Sequence, residues 1–305
     1  PLPHHQKGHG MIDPIALFLL LLSASTPILF AALGELVVER AGVLNLGVEG
    51  MMIVGALSGF ATAYYSGNAF LGFAVAALAG ALVALPFAIL TQFLMSNQVA
   101  SGLALTLFGL GLAALFGKPV EGVKAPSMAA GPLGLNWIVW LGLAMVPAIW
   151  WFLNRSRAGL ILRGVGENHD AAHALGYDVR RVRIAAIAFG GAMAGIGGAF
   201  ISVATVLQWT EGMTAGAGWI ALAIVVFSNW TAVGVLAGAW LFGGVTVLQL
   251  RLQAAGVRVP VQLLSMAPYL ATIIVLVAIS ARQKFSRRAG GAAPGSLGQD
   301  FHALR

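Results

Sequence analysis

The 305-residue sequence contains no cysteine, and only 9% of its residues are charged. The missing cysteines exclude disulfides, thiolate metal ligands and thiol nucleophiles. A soluble domain carries about 25% charged residues, so an ordinary soluble protein is excluded as well. The sequence also lacks a G-x-x-x-x-G-K-[ST] phosphate loop, a nucleophile elbow and an H-E-x-x-H pair. We therefore expect that this chain does not hydrolyse ATP and is not an enzyme.

Long apolar runs occupy most of the chain, and 59% of all residues are hydrophobic. A helix of about 20 apolar residues crosses a bilayer, and such runs recur from Ile12 to Ala281. The pattern predicts an all-α, polytopic transmembrane bundle with about nine spans, with eight and ten as alternatives. The predicted spans are 12–33, 44–65, 69–94, 98–117, 136–153, 184–207, 215–231, 233–250 and 262–281. The break "SNWTAVG" is so short that it could instead be a re-entrant turn.

Polar segments flank this transmembrane domain of residues 12–281. Residues 1–11 are predicted to be an N-terminal extension, and residues 282–305 a basic tail. With the N-terminus outside, twelve of the 17 Lys and Arg residues lie on the inner side and five on the outer side. Because cytoplasmic loops carry the excess of Lys and Arg, the pattern predicts an outer N-terminus and a cytoplasmic C-terminus. The net charge of +7 comes mainly from one loop and this tail, so nucleic acid is not a predicted partner.

Six arginines lie in the loop of residues 154–183. Placing them in hydrocarbon would cost roughly 15 kcal/mol at about 2.5 kcal/mol each, so the loop is aqueous. Within it, Asn168 as an N-cap, Asp170 in the first turn and Gly176 as a C-terminal stop predict a helix of about two turns. This helix is either incidental structure in a solvated loop or a docking site for a cytoplasmic partner.

The predicted loop helix has a small apolar face made of Ala171, Ala172 and Leu175, while His169, Asp170 and His173 point elsewhere. The two histidines are four residues apart, as in some metal sites. Only carboxylates of an exposed loop lie near them in the sequence, so we expect surface histidines and no metal site.

The stretch "AGVLNLGVEG" places Asn45 and Glu49 on one helical face at the start of the second apolar run. An ionisable residue at this depth indicates a function, and the glycines around it favour an interrupted helix. Two roles are open for Glu49. It lines the pathway of a solute, or it fixes the broken helix by binding freed backbone N–H groups. The nearby Glu35, Glu39 and Arg40 are predicted to form a surface or interhelix ion-pair cluster.

Further polar side chains recur at helical spacing in the later spans. Ser202, Thr205 and Gln208 do so in the sixth, and a second stripe near the end of the eighth comprises Thr246, Gln249 and Gln253. Hydroxyl and amide stripes suit a route for a polar, uncharged solute, and they suit hydrogen bonding between helices equally well. Asn45, Glu49, Ser202, Thr205 and Gln208 are therefore the candidates for a translocation pathway.

Pairs of glycines four residues apart are expected to mark helix contacts rather than a site. They are Gly55 with Gly59, Gly191 with Gly195, and Gly234 with Gly238.

Three segments resemble one known family. "ERAGVLNLGVEGMM", "GENHDAAHALGYDVRRVRIAAIAFGGAMAGIGGAF" and "APGSLGQDF" are similar to motifs of permeases from ABC importers for nucleosides and simple sugars. The resemblance covers roughly residues 12 to 300. It implies a multi-pass permease of a bacterial or archaeal inner or plasma membrane, in which residues 41–50 belong to the translocation pathway.

The same resemblance implies partners. The permease would pair with a second permease, identical or different, receive solute from an extracytoplasmic binding protein, and bind no cofactor itself. ATP and magnesium would belong to a separate ATPase that docks on the loop helix. The residues assigned to this coupling are Glu167, Asn168, Asp170, Ala171, Ala172, Leu175 and Gly176. The alternative is a stand-alone secondary transporter or channel, with Glu49 as a proton site.

Overall fold

The computed structural model describes residues 14–126, 128–255 and 293–302, together with residues 266, 270, 273, 274 and 277. This part of the chain is helical and contains no β-strand beyond two isolated bridges, which join Glu121 to Trp209 and Lys124 to Gln208. The prediction of an all-α membrane bundle is thereby confirmed. The predicted extension 1–11 and the arginines and lysine of the tail lie outside the described residues, as does most of the predicted span 262–281.

Ten α-helices have both ends within the described residues. They are Pro14–Arg40 (α1), Val48–Ser66 (α2), Ala69–Gln92 (α3), Gln98–Gly117 (α4), Trp137–Arg155 (α5), Arg157–Glu167 (α6), His169–Ala174 (α7), Val179–Ala199 (α8), Ala217–Phe227 (α9) and Ala232–Ala254 (α10). A π-helical turn, Phe200–Thr205, extends α8. We call the end of the bundle that carries α6, α7 and the start of α8 the arginine-rich end.

Six helices of the described part are long and apolar enough to cross a membrane. They are α1, α3, α4, α5, α8 with its π-turn, and α10. Helix α2 has 19 residues but is not among these six, and it carries a buried glutamate in its first turn. Helix α9 has only 11 residues, so it is about 16 Å long and reaches halfway through the hydrocarbon. The count of nine spans therefore stays a prediction.

The predicted span 215–231 is not a continuous helix. Residues 206–216 are largely non-helical and pair with residues 121–124 at the end opposite the arginine-rich end. Helix α9 then leads to Trp230, whose carbonyl accepts hydrogen bonds from Arg40 at the arginine-rich end. Gly212, Ala215 and Gly216 have φ of 69°, 45° and 84°, and this left-handed backbone prevents a helix from starting earlier. The largely non-helical residues 206–216 and helix α9 together run from one end of the bundle to the other.

Two of the three predicted glycine pairs lie where helix backbones touch. A Cβ on Gly55 of α2 would lie 2.3 Å from the Cα of Gly195 in α8, and a Cβ on Gly191 would lie 2.5 Å from the carbonyl oxygen of Gly80 in α3. In the third pair, a Cβ on Gly238 would meet side chains of α9. Helices α2, α3 and α8 therefore pack through their backbones, as close helix pairs in membranes do.

We predict that Gly195→Ala destabilises the bundle by about 1–3 kcal/mol, because its methyl group would lie 2.2 Å from the carbonyl oxygen of Ala76. Gly111→Ala is the matched control, since a Cβ there meets nothing within 4 Å. Unfolding in detergent, followed by circular dichroism against denaturant, measures both. Equal stability of Gly195→Ala and the wild type would contradict the packing described.

Candidate functional site

The chain is not helical between α1 and α2, although it is buried there. Gly42 has a φ of 82°, which a glycine adopts without strain. Asn45 is fully buried; its Oδ1 accepts a hydrogen bond from the N–H of Gly47 at 2.9 Å, and its own N–H donates to Glu35 at 3.3 Å. A Cβ on Gly102, in the second turn of α4, would lie 2.7 Å from the amide nitrogen of Leu46. This turn of residues 41–47 therefore reaches into the bundle.

The Glu49 carboxylate lies just beyond this turn and accepts hydrogen bonds from the start of α9. Its Oε1 accepts hydrogen bonds from the Thr214 hydroxyl at 2.5 Å and from the Gly216 N–H at 2.9 Å. Its Oε2 accepts one from the Gly218 N–H at 2.7 Å. The carboxylate thus satisfies N–H groups that have no partner within α9 and opposes the positive end of that helix dipole.

Of the two roles open for Glu49, these hydrogen bonds are of the type expected for anchoring, because the carboxylate binds backbone N–H groups, but they go to a different helix. The freed N–H groups belong to α9, 165 residues or more further along the chain, and not to the interrupted helix that carries Glu49. Thr214, Gly216 and Gly218 were not among the predicted site residues. The feature of the sequence that could have indicated them is the dense run of small residues "TAGAG". It precedes a helix whose first N–H groups have no side-chain cap of their own.

A cavity of about 280 Å³ adjoins this contact. It lies between α1, the end of α8, residues 213–220 and α10, and its walls are mostly apolar. The polar groups are Thr214, Thr246 and Gln249. Two residues of the predicted stripe on α10 therefore face the same space as the residue that binds Glu49.

The stripe predicted on the sixth span does not form one face. Ser202 is fully buried and donates to the carbonyl oxygen of Ala56 in α2 at 2.7 Å, which is a hydrogen bond between helices. Thr205 is exposed at the last residue of the π-turn, and Gln208 lies beyond it in the isolated bridge to Lys124. The π-turn and the positive φ of Leu207, 58°, break the helical spacing on which the prediction relied.

The predicted ion-pair cluster near Arg40 is also wrong. Glu35 and Glu39 are buried, and Glu39 accepts a hydrogen bond from the Trp230 indole at 2.5 Å. Arg40 donates to the Trp230 carbonyl at 3.0 and 2.7 Å and lies 4.0 Å from Glu167. Glu39 and Arg40 thus hold Trp230, just after α9, from two sides instead of neutralising one another, whereas Glu35 accepts a hydrogen bond from Asn45 of the turn.

The short helix in the loop is confirmed as α7. Asn168 caps it by accepting a hydrogen bond from the N–H of Ala171 at 2.9 Å, and Gly176 ends it with a φ of 89°. The predicted apolar face is divided. Ala172 is buried, whereas Ala171 and Leu175 are exposed, because Ala172 packs on the bundle and the other two point away.

His169 is buried, and the prediction of a surface histidine is wrong for it, whereas His173 is exposed. The Nδ1 of His169 lies 3.3 Å from Nη2 of Arg183, and the Nε2 of His169 lies 3.5 Å from the carboxylate of Asp170 in α7. Burial lowers the pKa of His169 below its usual value of 6.5, as does the charge of Arg183, with a smaller contribution from His302; Asp170 acts in the opposite direction. A neutral His169 can accept the hydrogen bond that the guanidinium offers.

Residues 295–301 bind across the arginine-rich end. The Ser296 N–H donates to the carbonyl of Gly166 at 2.8 Å, and its Oγ accepts the N–H of His169 at 3.2 Å. The N–H of Gly298 donates to the carbonyl of Gly42 at 3.2 Å. Phe301 is buried against Ala172 and the ring of His169. This C-terminal strap therefore joins the loop of α7 to the turn of residues 41–47.

The sequence model described as branched-chain amino acid transport system / permease component matches residues 17–279. The chain belongs to this permease family. The polar turn, the half-helix and the loop helix are thus features of a membrane permease, as the three sequence motifs indicated.

Several relatives of the permease carry more specific names. It is 42% identical to the putative glucose ABC transporter permease protein TsgC13 of Haloferax volcanii, over 83% of this chain and 88% of the relative. It is 33% identical to the nucleoside ABC transporter permease protein NupC of Lactococcus lactis, over the same shares. Identity to the guanosine ABC transporter permease protein NupQ of Bacillus subtilis is 29%, over 85% of this chain and 90% of the relative.

We predict that Glu49→Gln lowers the free energy of unfolding of the permease by about 2–3 kcal/mol, because hydrogen bonds to a charged group are lost. An amide nitrogen would then face an N–H group of α9 without accepting from it. Thr214→Val removes only the hydroxyl and should cost about 1 kcal/mol. Denaturant unfolding in detergent compares the two variants. A Glu49→Gln protein as stable as the wild type would show that the carboxylate does not hold α9.

Proposed function

We propose that this permease is the membrane subunit of an ABC importer that takes up nucleosides or related simple sugars. A separate ATPase subunit docks on α7 and hydrolyses ATP, and the chain itself binds no cofactor. The observation that carries this proposal is that one face of α7 packs on the bundle while the opposite face is exposed. Ala172 and His169 hold it to the bundle, while 77% of Leu175 is exposed.

The surroundings of α7 suit a protein partner. A cleft of about 580 Å³ lies beside its C-terminus and is lined by His173, Tyr177, Arg180, Phe301 and Phe93. The Arg180 guanidinium lies 5.7 Å from the centre of the Phe93 ring. Aromatic and arginine side chains are enriched in the central part of protein interfaces, and here they lie next to the exposed Leu175.

The contact of Glu49 with α9 supports an uncharged solute. In transporters, the N-terminus of a half-helix within the membrane commonly faces an anionic group of the substrate. Here the carboxylate of Glu49 occupies that position, and the adjoining cavity offers Thr246 and Gln249 as neutral hydrogen-bonding groups. Nucleosides and simple sugars meet this requirement. The amino acids in the family's description carry a carboxylate and do not.

The proposed arrangement in the membrane follows the charge distribution. The arginine-rich end is cytoplasmic, the N-terminus lies outside, and the C-terminal residues lie in the cytoplasm of a bacterial or archaeal cell. The permease pairs with a second permease of the same or a different sequence. An extracytoplasmic solute-binding protein delivers the solute, and lipid surrounds the bundle.

The proposal is tested by ATP hydrolysis in proteoliposomes that contain the permease with its ATPase, partner permease and binding protein. We expect nucleosides to stimulate hydrolysis, while leucine does not. Stimulation by simple sugars alone would show that the substrate is a sugar and not a nucleoside, and it would still support an ABC importer. Uptake that requires an ion gradient and no ATP would contradict the proposal and establish a secondary transporter.

We predict that Leu175→Asp weakens ATPase binding at least tenfold, about 1.4 kcal/mol, because a charge replaces an apolar group at the centre of the contact. Leu133→Asp is the control, since this leucine is 68% exposed in the loop at the opposite end of the bundle. Co-purification and surface plasmon resonance measure the binding. Unchanged affinity of the Leu175→Asp permease would show that the ATPase docks elsewhere. Ala172→Asp is unsuitable, because Ala172 is buried and its replacement disturbs the loop itself.

A further inference from the structure

Arg183 in the second turn of α8 is fully buried and binds three separate segments of the chain. Its Nε donates to the carbonyl oxygen of Ala41 at 3.2 Å, and its Nη1 donates to the carbonyl oxygen of Gln299 at 3.0 Å. Its Nη2 lies 3.3 Å from Nδ1 of His169. The planar fork of five N–H donors is the side-chain group that reaches three such acceptors at once.

We propose that Arg183 is a positioning residue of the transport cycle, which links α7 to the turn of residues 41–47 and so transmits movement of the docked ATPase to Glu49 and α9. This inference rests on the proposed function. It adds the route by which a contact on the cytoplasmic surface reaches the pathway.

The contacts of Arg183 differ from those of a charge that is buried for stability alone. Buried charges are normally paired directly with an opposite charge. Within the described residues no carboxylate lies within 4.0 Å of the nitrogens of Arg183, and the charges of Asp300 and Asp170 act on it only from a greater distance. Its acceptors are two main-chain carbonyls and an imidazole. Each of them belongs to a segment whose position matters for docking or for the pathway.

Close backbone packing makes the same three segments one mechanical unit. A Cβ on Gly166, just before α7, would lie 2.0 Å from the carbonyl oxygen of Arg40. A Cβ on Gly42 would lie 3.0 Å from Nη2 of Arg183 and 3.2 Å from the carbonyl oxygen of Ser296. Neither α7 nor the strap can shift without moving the turn, because no space separates them.

The turn leads directly to the site. Ala41 begins it and Glu49 follows it, with Asn45 fixed between them by Glu35 and Gly47. Helix α7 has six residues and is too short to hold a position by itself, so its movement must pass through its contacts. Arg183 is the side chain that joins those contacts to the first residue of the turn.

The test uses the full complex in proteoliposomes and measures solute transported per ATP hydrolysed. We expect Arg183→Gln to assemble with the ATPase and hydrolyse ATP, while the transport ratio falls at least about fivefold. Arg183→Lys, which keeps the charge but not the fork, should fall between this variant and the wild type. Arg157→Gln is the matched control, because that arginine is exposed at the first residue of α6 and does not line the cleft beside α7; it should behave as the wild type.

A second pair of variants avoids removing a buried charge. His169→Asn keeps an acceptor near the position of Nδ1 and should preserve the ratio, whereas His169→Ala removes the acceptor and should lower it. An unchanged ratio in both Arg183→Gln and His169→Ala would overturn the inference. So would a parallel loss of assembly, hydrolysis and transport, which indicates a purely structural role. Failure of the proposed function is distinct, since the wild-type complex would then show no solute-stimulated hydrolysis.

Discussion

The hydrogen bonds from the start of α9 to the Glu49 carboxylate are the constraint on which the interior of this permease depends. The non-helical turn of residues 41–47 and the end of the non-helical stretch 206–216, where Thr214 is buried, lie inside the bundle, and unsatisfied N–H groups there would cost several kcal/mol each. One carboxylate satisfies the freed groups at the start of α9 and fixes the distance between the two stretches. Thr106 and Trp219 complete the arrangement by donating to the carbonyl oxygen of Leu46.

This polar interior is compatible with a thin, closely packed framework. Helices α2, α3 and α8 touch through glycines, so their backbones approach without intervening side chains. The turn of residues 41–47, α9 and the loop with α7 lie around this framework.

Much of the fold follows from the sequence, because apolar length and helix caps are local signals. Asn168 and Gly176 bounded α7 correctly, and Glu49 stood out as a carboxylate in an apolar run. The partners of Glu49 could not be predicted, since Thr214, Gly216 and Gly218 lie far along the chain and carry no charge. The inward side of Ala172 and His169 was missed for a similar reason. It is decided by Phe301 and Arg183, and no periodicity within the loop reports on residues outside it.

The C-terminal strap has a consequence for the order of biosynthesis. Residues 295–301 are translated after every described helix, yet they supply the hydroxyl bound by His169, a carbonyl bound by Arg183 and the ring packed on Ala172. The inner face of α7 therefore gains these three contacts only after residues 295–301 have been synthesised, later than any helix that the structure describes.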